Sequence, residues 1–197
     1  MNIAQDLGLS VPPHGLFPMA DKKLCYVIKR FDRLEDETKL QKETFYQILQ
    51  SRDKYKGSLE AIGKTIRTHA TNVGLDLIDF FERTLLCFLV GNGDMHLKNW
   101  ALLIKPDKTI SLAPCYDFIC SKIYLPRETE SALTLNDKET NLSRSDFEAL
   151  AQYLTIDPKA IKNTFDKYEQ AKDKILEMCV YSRLNPGLKN KLADIVK

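Results

Sequence analysis

Three oxygen-bearing side chains have the types and spacing of a catalytic site. Asp94 and Asn99 lie five residues apart after a glycine pair, and Asp117 follows eighteen residues later, beyond a predicted β-hairpin. This order is typical of kinase-type phosphoryl transfer, in which one carboxylate accepts the proton of the acceptor hydroxyl. An amide oxygen and a second carboxylate then hold Mg²⁺ against the phosphates of ATP, because Mg²⁺ prefers oxygen ligands and takes one or two carboxylates.

Each of these residues also has a structural interpretation. Asp94, Asn99 and Asp117 are all of types that cap helices or occupy turns. The pair of Asp94 and His96 could instead belong to a metal hydrolase, since His and Asp together suit transition metals. His96 could equally be a histidine with a structural hydrogen bond. The combined order and spacing favour phosphoryl transfer over these alternatives.

Two predicted elements would position the candidate residues. The segment 75–90 is apolar on nearly every face, which predicts a central buried helix that ends at Gly91. Residues 100–104 and 109–112 have the pattern of a β-hairpin around a polar turn. The loop with Asp94 would therefore enter this hairpin, and the segment with Asp117 would leave it.

The rest of the chain predicts a mainly α fold with a small β-hairpin and strand component. Helices are predicted over residues 1–9, 38–50, 58–73 and 158–181 and after Pro186, and a strand over Leu24–Ile28. Ser145 and Glu148 have the spacing of a capping box before an apolar run. Asp157 is the expected cap of a helix that begins with Pro158.

Length, composition and charge exclude several classes of protein. The chain has 197 residues, of which 44% are hydrophobic, so global disorder is excluded. Its 29 Lys and Arg nearly balance its 27 Asp and Glu, so we expect no direct nucleic-acid binding through general phosphate neutralisation. The five cysteines form no CxxC pair, which favours free thiols in a reducing cytoplasm. No secretory leader or membrane-length apolar run is evident, so we expect no membrane association.

Four stretches resemble the C-terminal region of the HipA family of toxin serine/threonine kinases. They are MNIAQDLGLSVPP (1–13), KRFDR (29–33), NGDMHLKN (92–99) and LAPCYDF (112–118). The last two match a D-x-H-x-K-N loop and an L-x-P-x-Y-D metal motif, which are specific in this order although either alone would be weak. The similarity extends to about residue 120 and is general in character beyond it.

The resemblance implies a kinase-like C-terminal lobe of α+β class over residues 1–197. Residues 1–35 would be the linker helix and hinge, 36–125 the catalytic core and 126–197 a helical C-terminal part. ATP and Mg²⁺ would be the cofactors, Asp94 the catalytic base, and Asn99 and Asp117 the metal ligands. The residues expected along the nucleotide are His96, Leu97, Lys98, Asn99 and Tyr116 in the loops, Lys29, Arg30 and Phe31 in the hinge, and Asp32 near the ribose.

An N-terminal lobe with a phosphate-gripping lysine and a phosphate-covering loop has no counterpart in these residues, and no G-x-G-x-x-G occurs. We therefore expect dependence on an N-lobe subunit or partner chain, and an exposed apolar surface near residues 1–30. The resemblance implies a helix-turn-helix antitoxin as partner and a protein of the translation machinery as substrate. An inactive kinase-like binding module, a truncated fragment and a small-molecule phosphotransferase are the alternatives, although the last usually places His before Asp.

Overall fold

The computed structural model describes residues 1–196, which form eight α-helices, a two-stranded sheet and a three-stranded sheet. The helices are α1 (Asn2–Asp6), α2 (Phe45–Ile48), α3 (Leu59–His69), α4 (Val73–Leu89), α5 (Arg144–Tyr153), α6 (Pro158–Gln170), α7 (Lys172–Tyr181) and α8 (Pro186–Ile195). The strands are β1 (His14–Pro18), β2 (Leu24–Ile28), β3 (Gln41–Thr44), β4 (Ala101–Ile104) and β5 (Ile110–Leu112). The predicted mainly helical fold with a small β component is confirmed.

Helix α4 is the centre of the hydrophobic core. Its Phe80 and Phe81 are at most 1% exposed, as expected for a helix that is apolar on most sides. Phe80 packs against Trp100 with ring centroids 5.0 Å apart, which joins α4 to the residue before β4. The helix ends at Leu89, and Gly91 then turns the chain with a left-handed φ of 67°. The core therefore holds the start of the loop that carries the candidate residues.

The three-stranded antiparallel sheet has the order β3-β4-β5. The predicted hairpin of β4 and β5 is confirmed. The predicted helix over residues 38–50 is wrong in its first half, because β3 pairs with β4 and places Thr44 opposite Ala101. Pairing with an existing strand overrides the local helical pattern there, and only Phe45–Ile48 is helical.

Strands β1 and β2 form a separate antiparallel hairpin in which Leu16 lies opposite Tyr26. The predicted strand at Leu24–Ile28 is confirmed, and β1 is an addition to the prediction. Apolar side chains of this hairpin that are about half exposed are Leu16, Phe17, Leu24, Tyr26 and Val27. The expected exposed apolar surface near residues 1–30 is therefore present.

The capping box of α5 is formed by Ser143 and Asp146, so its prediction at Ser145 and Glu148 is wrong. Asp146 accepts a hydrogen bond from the Ser143 backbone N–H at 2.9 Å and also binds the Ser143 hydroxyl. An aspartate can close the box in place of the glutamate of the usual motif. The N-cap of α5 is therefore Ser143, two residues before the predicted cap at Ser145.

The predicted single helix over residues 158–181 is two helices, α6 and α7, that meet at Ala171. The expected cap at Asp157 is confirmed, because its carboxylate accepts the Lys159 N–H at 2.7 Å. Tyr168 on α6 and Ile175 on α7 are both buried, at 3% and 1% exposure. No helix in the described part of the chain is both long and apolar enough to cross a membrane. All five cysteines are free thiols.

Candidate active site

The loop after α4 holds Asp94 in a crowded turn. Asn92 is 1% exposed, and its side-chain oxygen accepts the Asp94 backbone N–H at 3.3 Å. The Asn92 amide points in turn toward the sulfur of Cys87 at 3.8 Å. Gly93 has no room for a side chain, because a Cβ atom there would collide with the backbone oxygen of Thr129. These contacts fix the backbone of the loop and leave the Asp94 side chain 35% exposed.

Asn99 folds back onto the beginning of the same loop. Its side-chain amide donates to the Asp94 backbone oxygen at 3.0 Å, and its backbone N–H donates to the His96 oxygen at 2.8 Å. The first bond uses the nitrogen of the side chain as donor, so the oxygen is the remaining acceptor. Within residues 1–196 this oxygen makes no hydrogen bond, and it is therefore available to a ligand.

The segment that carries Asp117 is attached to α4 by two polar contacts. Arg83 donates to the Ala113 backbone oxygen at 2.6 Å, and Asp76 accepts the Leu112 N–H at 3.1 Å. Asp117 itself is exposed and has a left-handed φ of 55°, a conformation that Asp tolerates better than most residues. Its carboxylate makes no hydrogen bond or ion pair of its own among the described residues.

The two candidate carboxylates lie on one side of the molecule. The contact with the Tyr55 side chain raises the pKa of Lys54, and the charges of Asp94 and Asp117 both add to this rise. Burial and the charge of Lys54 lower the pKa of His96, and the same two carboxylates oppose that change. The Tyr116 hydroxyl donates to the Lys98 backbone oxygen at 2.8 Å, and the Asn99 amide donates to the Asp94 backbone oxygen at 3.0 Å. The segment that carries Asp117 therefore lies against the loop that carries Asp94 and Asn99.

Lys54 and Tyr55 are functional-site candidates that the sequence reasoning missed. The Tyr55 hydroxyl donates to the Asp94 carboxylate at 2.9 Å. The Lys54 ammonium lies 2.7 Å from the Nε2 atom of His96, and the Asp94 carboxylate lies 4.0 Å from that same atom. Both residues lie in a polar loop far from their partners in sequence. Tyr55 precedes Asp94 by 39 residues and Lys54 precedes His96 by 42 residues, so no motif spacing relates them.

Phe31 and Tyr116 form an aromatic pair beside the predicted nucleotide site, with ring centroids 5.2 Å apart. The Lys42 ammonium lies 5.6 Å from the first ring and 5.3 Å from the second. Burial raises the pKa of Tyr116, which keeps its hydroxyl protonated as a donor to the Lys98 backbone oxygen at 2.8 Å. The Lys98 side chain is exposed and lies over the Tyr46 ring at 4.6 Å.

In the predicted hinge, residues 29–32, some hydrogen-bonding groups have partners within the protein and others have none. The Lys29 N–H donates to the Pro13 oxygen at 2.8 Å. Arg30 binds both carboxylate oxygens of Asp32 and lowers the pKa of that carboxyl, which is 4% exposed. A contact of Asp32 with a ribose would require this pair to open. The backbone N–H and C=O groups of Arg30 and Phe31 make no hydrogen bond within residues 1–196, so they are available to a base.

The assignment of Leu97 to the nucleotide is wrong. Its side chain is completely buried in the core. Its backbone N–H donates to the Lys54 oxygen at 3.0 Å, and its backbone oxygen accepts the Tyr46 N–H at 3.2 Å. Leu97 therefore joins the segments of Lys54 and Tyr46 to the loop, and its side chain does not reach the exposed surface beside Asp94.

The residues at this site fit Mg²⁺ as part of a nucleotide complex. Residues 1–196 contain no cluster of three or more His, Cys, Asp or Glu side chains suited to a metal. Mg²⁺ needs no such cluster, because phosphate oxygens and water usually complete its coordination. The free amide oxygen of Asn99 and the exposed carboxylate of Asp117 are the hard oxygen donors that such an ion takes.

A helical core that presents two polar loops at the ends of a β-hairpin is the architecture of a kinase-like C-terminal lobe. Two solved structures share this fold. HipA of Shewanella oneidensis MR-1, solved with HipB and operator DNA, aligns with a TM-score of 0.81 and 17% identity over all of this chain and 53% of its own. The Helicobacter pylori proinflammatory kinase CtkA aligns with a TM-score of 0.65 and 17% identity over 99% of this chain and 78% of its own.

Residues 1–175 match the family described as the HipA-like C-terminal domain, and the chain belongs to this family. A putative kinase of Haemophilus influenzae is 32% identical over 63% of this chain and 40% of its own length. The putative kinase Y4dM of Sinorhizobium fredii is 31% identical over 83% of this chain and 43% of its own length. The chain thus spans less than half the length of these two relatives.

Proposed function

We propose that this chain is the catalytic lobe of a serine/threonine protein kinase that uses ATP and Mg²⁺. The observation that carries the proposal is that hydrogen bonds join the loop with Asp94 and Asn99 to the segment with Asp117. The Tyr116 hydroxyl, next to Asp117, donates to the Lys98 backbone oxygen, and the Asn99 amide donates to the Asp94 backbone oxygen, which leaves the Asn99 oxygen without a partner within residues 1–196. This donor set is the one that phosphoryl transfer requires.

In this reaction Asp94 would accept the proton of a Ser or Thr hydroxyl on the substrate. The hydroxyl oxygen then forms a bond to the γ-phosphorus of ATP, and the bond from that phosphorus to the bridging oxygen of ADP breaks. Asn99 and Asp117 would hold Mg²⁺, which neutralises phosphate charge when it is bound. A carboxylate in this role needs no special activation, since carboxylates are ionised near neutral pH.

The nucleotide base would lie near the hinge. The open backbone groups of Arg30 and Phe31 can pair with the edge of a purine, and the rings of Phe31 and Tyr116 provide an aromatic surface. Lys42 and Lys98 bring positive charge to the same region, which suits a polyphosphate.

We propose that the activity also needs an N-terminal lobe, from the same protein or from a partner subunit. The division into residues 1–35, 36–125 and 126–197 belongs to this proposal. The related HipA was solved in a toxin–antitoxin complex with HipB and operator DNA, which supports an antitoxin as partner, and the family resemblance implies that it is of the helix-turn-helix type. A protein of the translation machinery is the proposed substrate, and the cytoplasm is the proposed location.

The test is phosphoryl transfer by the full-length gene product, purified with and without the product of the adjacent gene. Labelled γ-phosphate should appear on Ser or Thr in the presence of Mg²⁺. Asp94→Asn and Asp117→Asn should each reduce the rate by about 100-fold or more, as expected for loss of a general base or a metal ligand. Asp173→Asn, which changes an exposed carboxylate on α7, is the matched control and should leave the rate unchanged.

Two results would overturn the proposal. Wild-type protein that binds Mg-ATP but transfers no phosphate under either condition would indicate a kinase-like binding module. Release of phosphate from a phosphoester without ATP, with the same dependence on Asp94, would indicate a metal hydrolase.

A further inference from the structure

Lys54 and Tyr55 touch the two polar side chains of the D-x-H loop, although neither belongs to a recognised motif. Tyr55 donates to Asp94, and Lys54 lies against His96. The Lys54 ammonium also lies 4.7 Å from the centre of the Tyr55 ring, and that ring is edge-on to His96 at 5.3 Å. The four side chains form one contiguous cluster at the open face.

The backbone holds Lys54 firmly against this loop. Its oxygen accepts the Leu97 N–H at 3.0 Å. Gly57, three residues later, approaches so closely that a Cβ atom would lie 3.1 Å from the Leu97 side chain. The Gly57 oxygen is bound in turn by the Thr134 N–H at 3.2 Å. Lys54 therefore lies on a segment whose backbone is hydrogen-bonded to Leu97 and Thr134, and not on a loosely attached surface loop.

The contact between Lys54 and His96 determines the charge of both groups. An ammonium has only donors, so the Nε2 atom of His96 must accept, and the imidazole is neutral. His96 is 6% exposed, and burial together with the charge of Lys54 lowers its pKa. The pKa of Lys54 is raised, so the positive charge stays on the lysine.

This ammonium has unused hydrogen-bonding capacity. It carries three protons, and the imidazole accepts one of them. No carboxylate of residues 1–196 lies within ion-pair distance of Lys54, although Asp94 and Asp117 are close enough to influence it. Its two remaining protons can therefore donate to the oxygens of an anionic ligand bound beside Asp94.

We propose that Lys54 binds the phosphoryl group as it passes from ATP to the acceptor, and that Tyr55 holds Asp94 in position. This inference rests on the proposed kinase function. Lys54 remains charged throughout, because the acceptor proton goes to Asp94 and the negative charge goes to ADP. Tyr55 occupies one oxygen of the Asp94 carboxylate, which leaves the other oxygen for the acceptor hydroxyl.

The first experiment compares the affinity of the full-length protein for a non-hydrolysable ATP analogue and for ADP, with Mg²⁺. Lys54→Met should reduce the preference for the γ-phosphate-bearing ligand by about tenfold and the transfer rate by about 100-fold, as for loss of a charge-assisted phosphate contact. Lys54→Arg should restore much of both. Lys56→Met, which removes an exposed lysine two residues away, should change neither.

The second experiment tests the positioning role of Tyr55. Tyr55→Phe keeps the ring contacts and removes only the hydroxyl. It should lower kcat about tenfold while the KM for ATP and the affinity for both nucleotides stay unchanged. A purely structural role would instead lower the thermal midpoint and weaken nucleotide binding.

The outcomes separate the two proposals. Unchanged transfer and unchanged nucleotide preference in Lys54→Met, with an active wild type, would overturn this inference and leave the kinase function intact. A wild-type protein that neither binds the analogue nor transfers phosphate would overturn both.

Discussion

The buried guanidinium of Arg83 donates a hydrogen bond to the backbone oxygen of Ala113 at 2.6 Å. This contact joins the centre of α4 to the segment that carries Asp117. The same guanidinium binds Asp79, one turn earlier on α4. Helix α4 thus binds the segment that carries Asp117 through Arg83. The loop that carries Asp94 follows directly after the C-terminal end of the same helix.

Arg83→Met should destabilise the protein by about 3 kcal/mol, because it leaves the Ala113 oxygen and the Asp79 carboxylate without their partner. Lys162→Met breaks an exposed pair with Asp166 and should cost well under 1 kcal/mol. Urea unfolding at pH 7 measures both free energies. Equal stability of the two variants would show that Arg83 does not hold the Ala113 segment.

Asn99→Ala should raise the Mg²⁺ concentration needed for half-maximal phosphoryl transfer by about tenfold, as expected when one ligand of a hard cation is lost. Asn163→Ala, which changes an exposed amide on α6, is the control. The measurement is transfer rate against Mg²⁺ concentration at saturating ATP. An Mg²⁺ requirement identical to that of the wild type would exclude Asn99 as a ligand, provided that the thermal midpoint is unchanged.

Asp146 should make stability depend on pH. Its carboxylate, 1% exposed, accepts hydrogen bonds from Lys138, Asn136 and the hydroxyl and N–H of Ser143, and the Lys138 contact contributes most to lowering its pKa. Because the folded pKa lies below that of the unfolded chain, the stabilisation is complete above about pH 4 and is lost as pH falls toward the folded pKa.

Asp146→Asn should therefore cost about 2 kcal/mol at pH 7, and the difference from wild type should shrink as the pH falls below about 4. Denaturant unfolding across this range provides the measurement. Asp166→Asn, at an exposed pair, should show little difference at any pH. A constant difference between wild type and Asp146→Asn would contradict the assignment of the low pKa to this carboxyl.

Gly63→Ala should destabilise α3 against α5 despite the higher helix propensity of Ala. A Cβ atom at this position would lie 2.5 Å from the Leu154 side chain, which is completely buried. Overpacking of this kind costs about 1–3 kcal/mol, more than the gain of up to about 1 kcal/mol from propensity. Gly74→Ala in α4 meets no atom within 4 Å and should be neutral or stabilising. Thermal unfolding distinguishes the two, and a stabilised Gly63→Ala would contradict the close approach.

Local sequence signals predicted the elements whose causes are local. The continuous apolar segment became α4, and Asp157 followed by Pro158 marked the start of α6. The prediction failed where a distant partner decides the structure. Gln41–Thr44 has no strand pattern of its own, and it is extended because it completes the sheet beside β4. Leu97 was placed at the nucleotide by its motif position, although its apolar side chain is buried.

The sequence by itself determined the order of Asp94, Asn99 and Asp117 and the family to which these motifs belong, because spacing within a loop or across a short hairpin is a local property. Only the tertiary structure decided that Tyr55 reaches Asp94 and that Lys54 reaches His96. Those contacts bridge 39 and 42 residues. They depend on how the backbone of one loop packs against another, which no short-range pattern of residue types encodes.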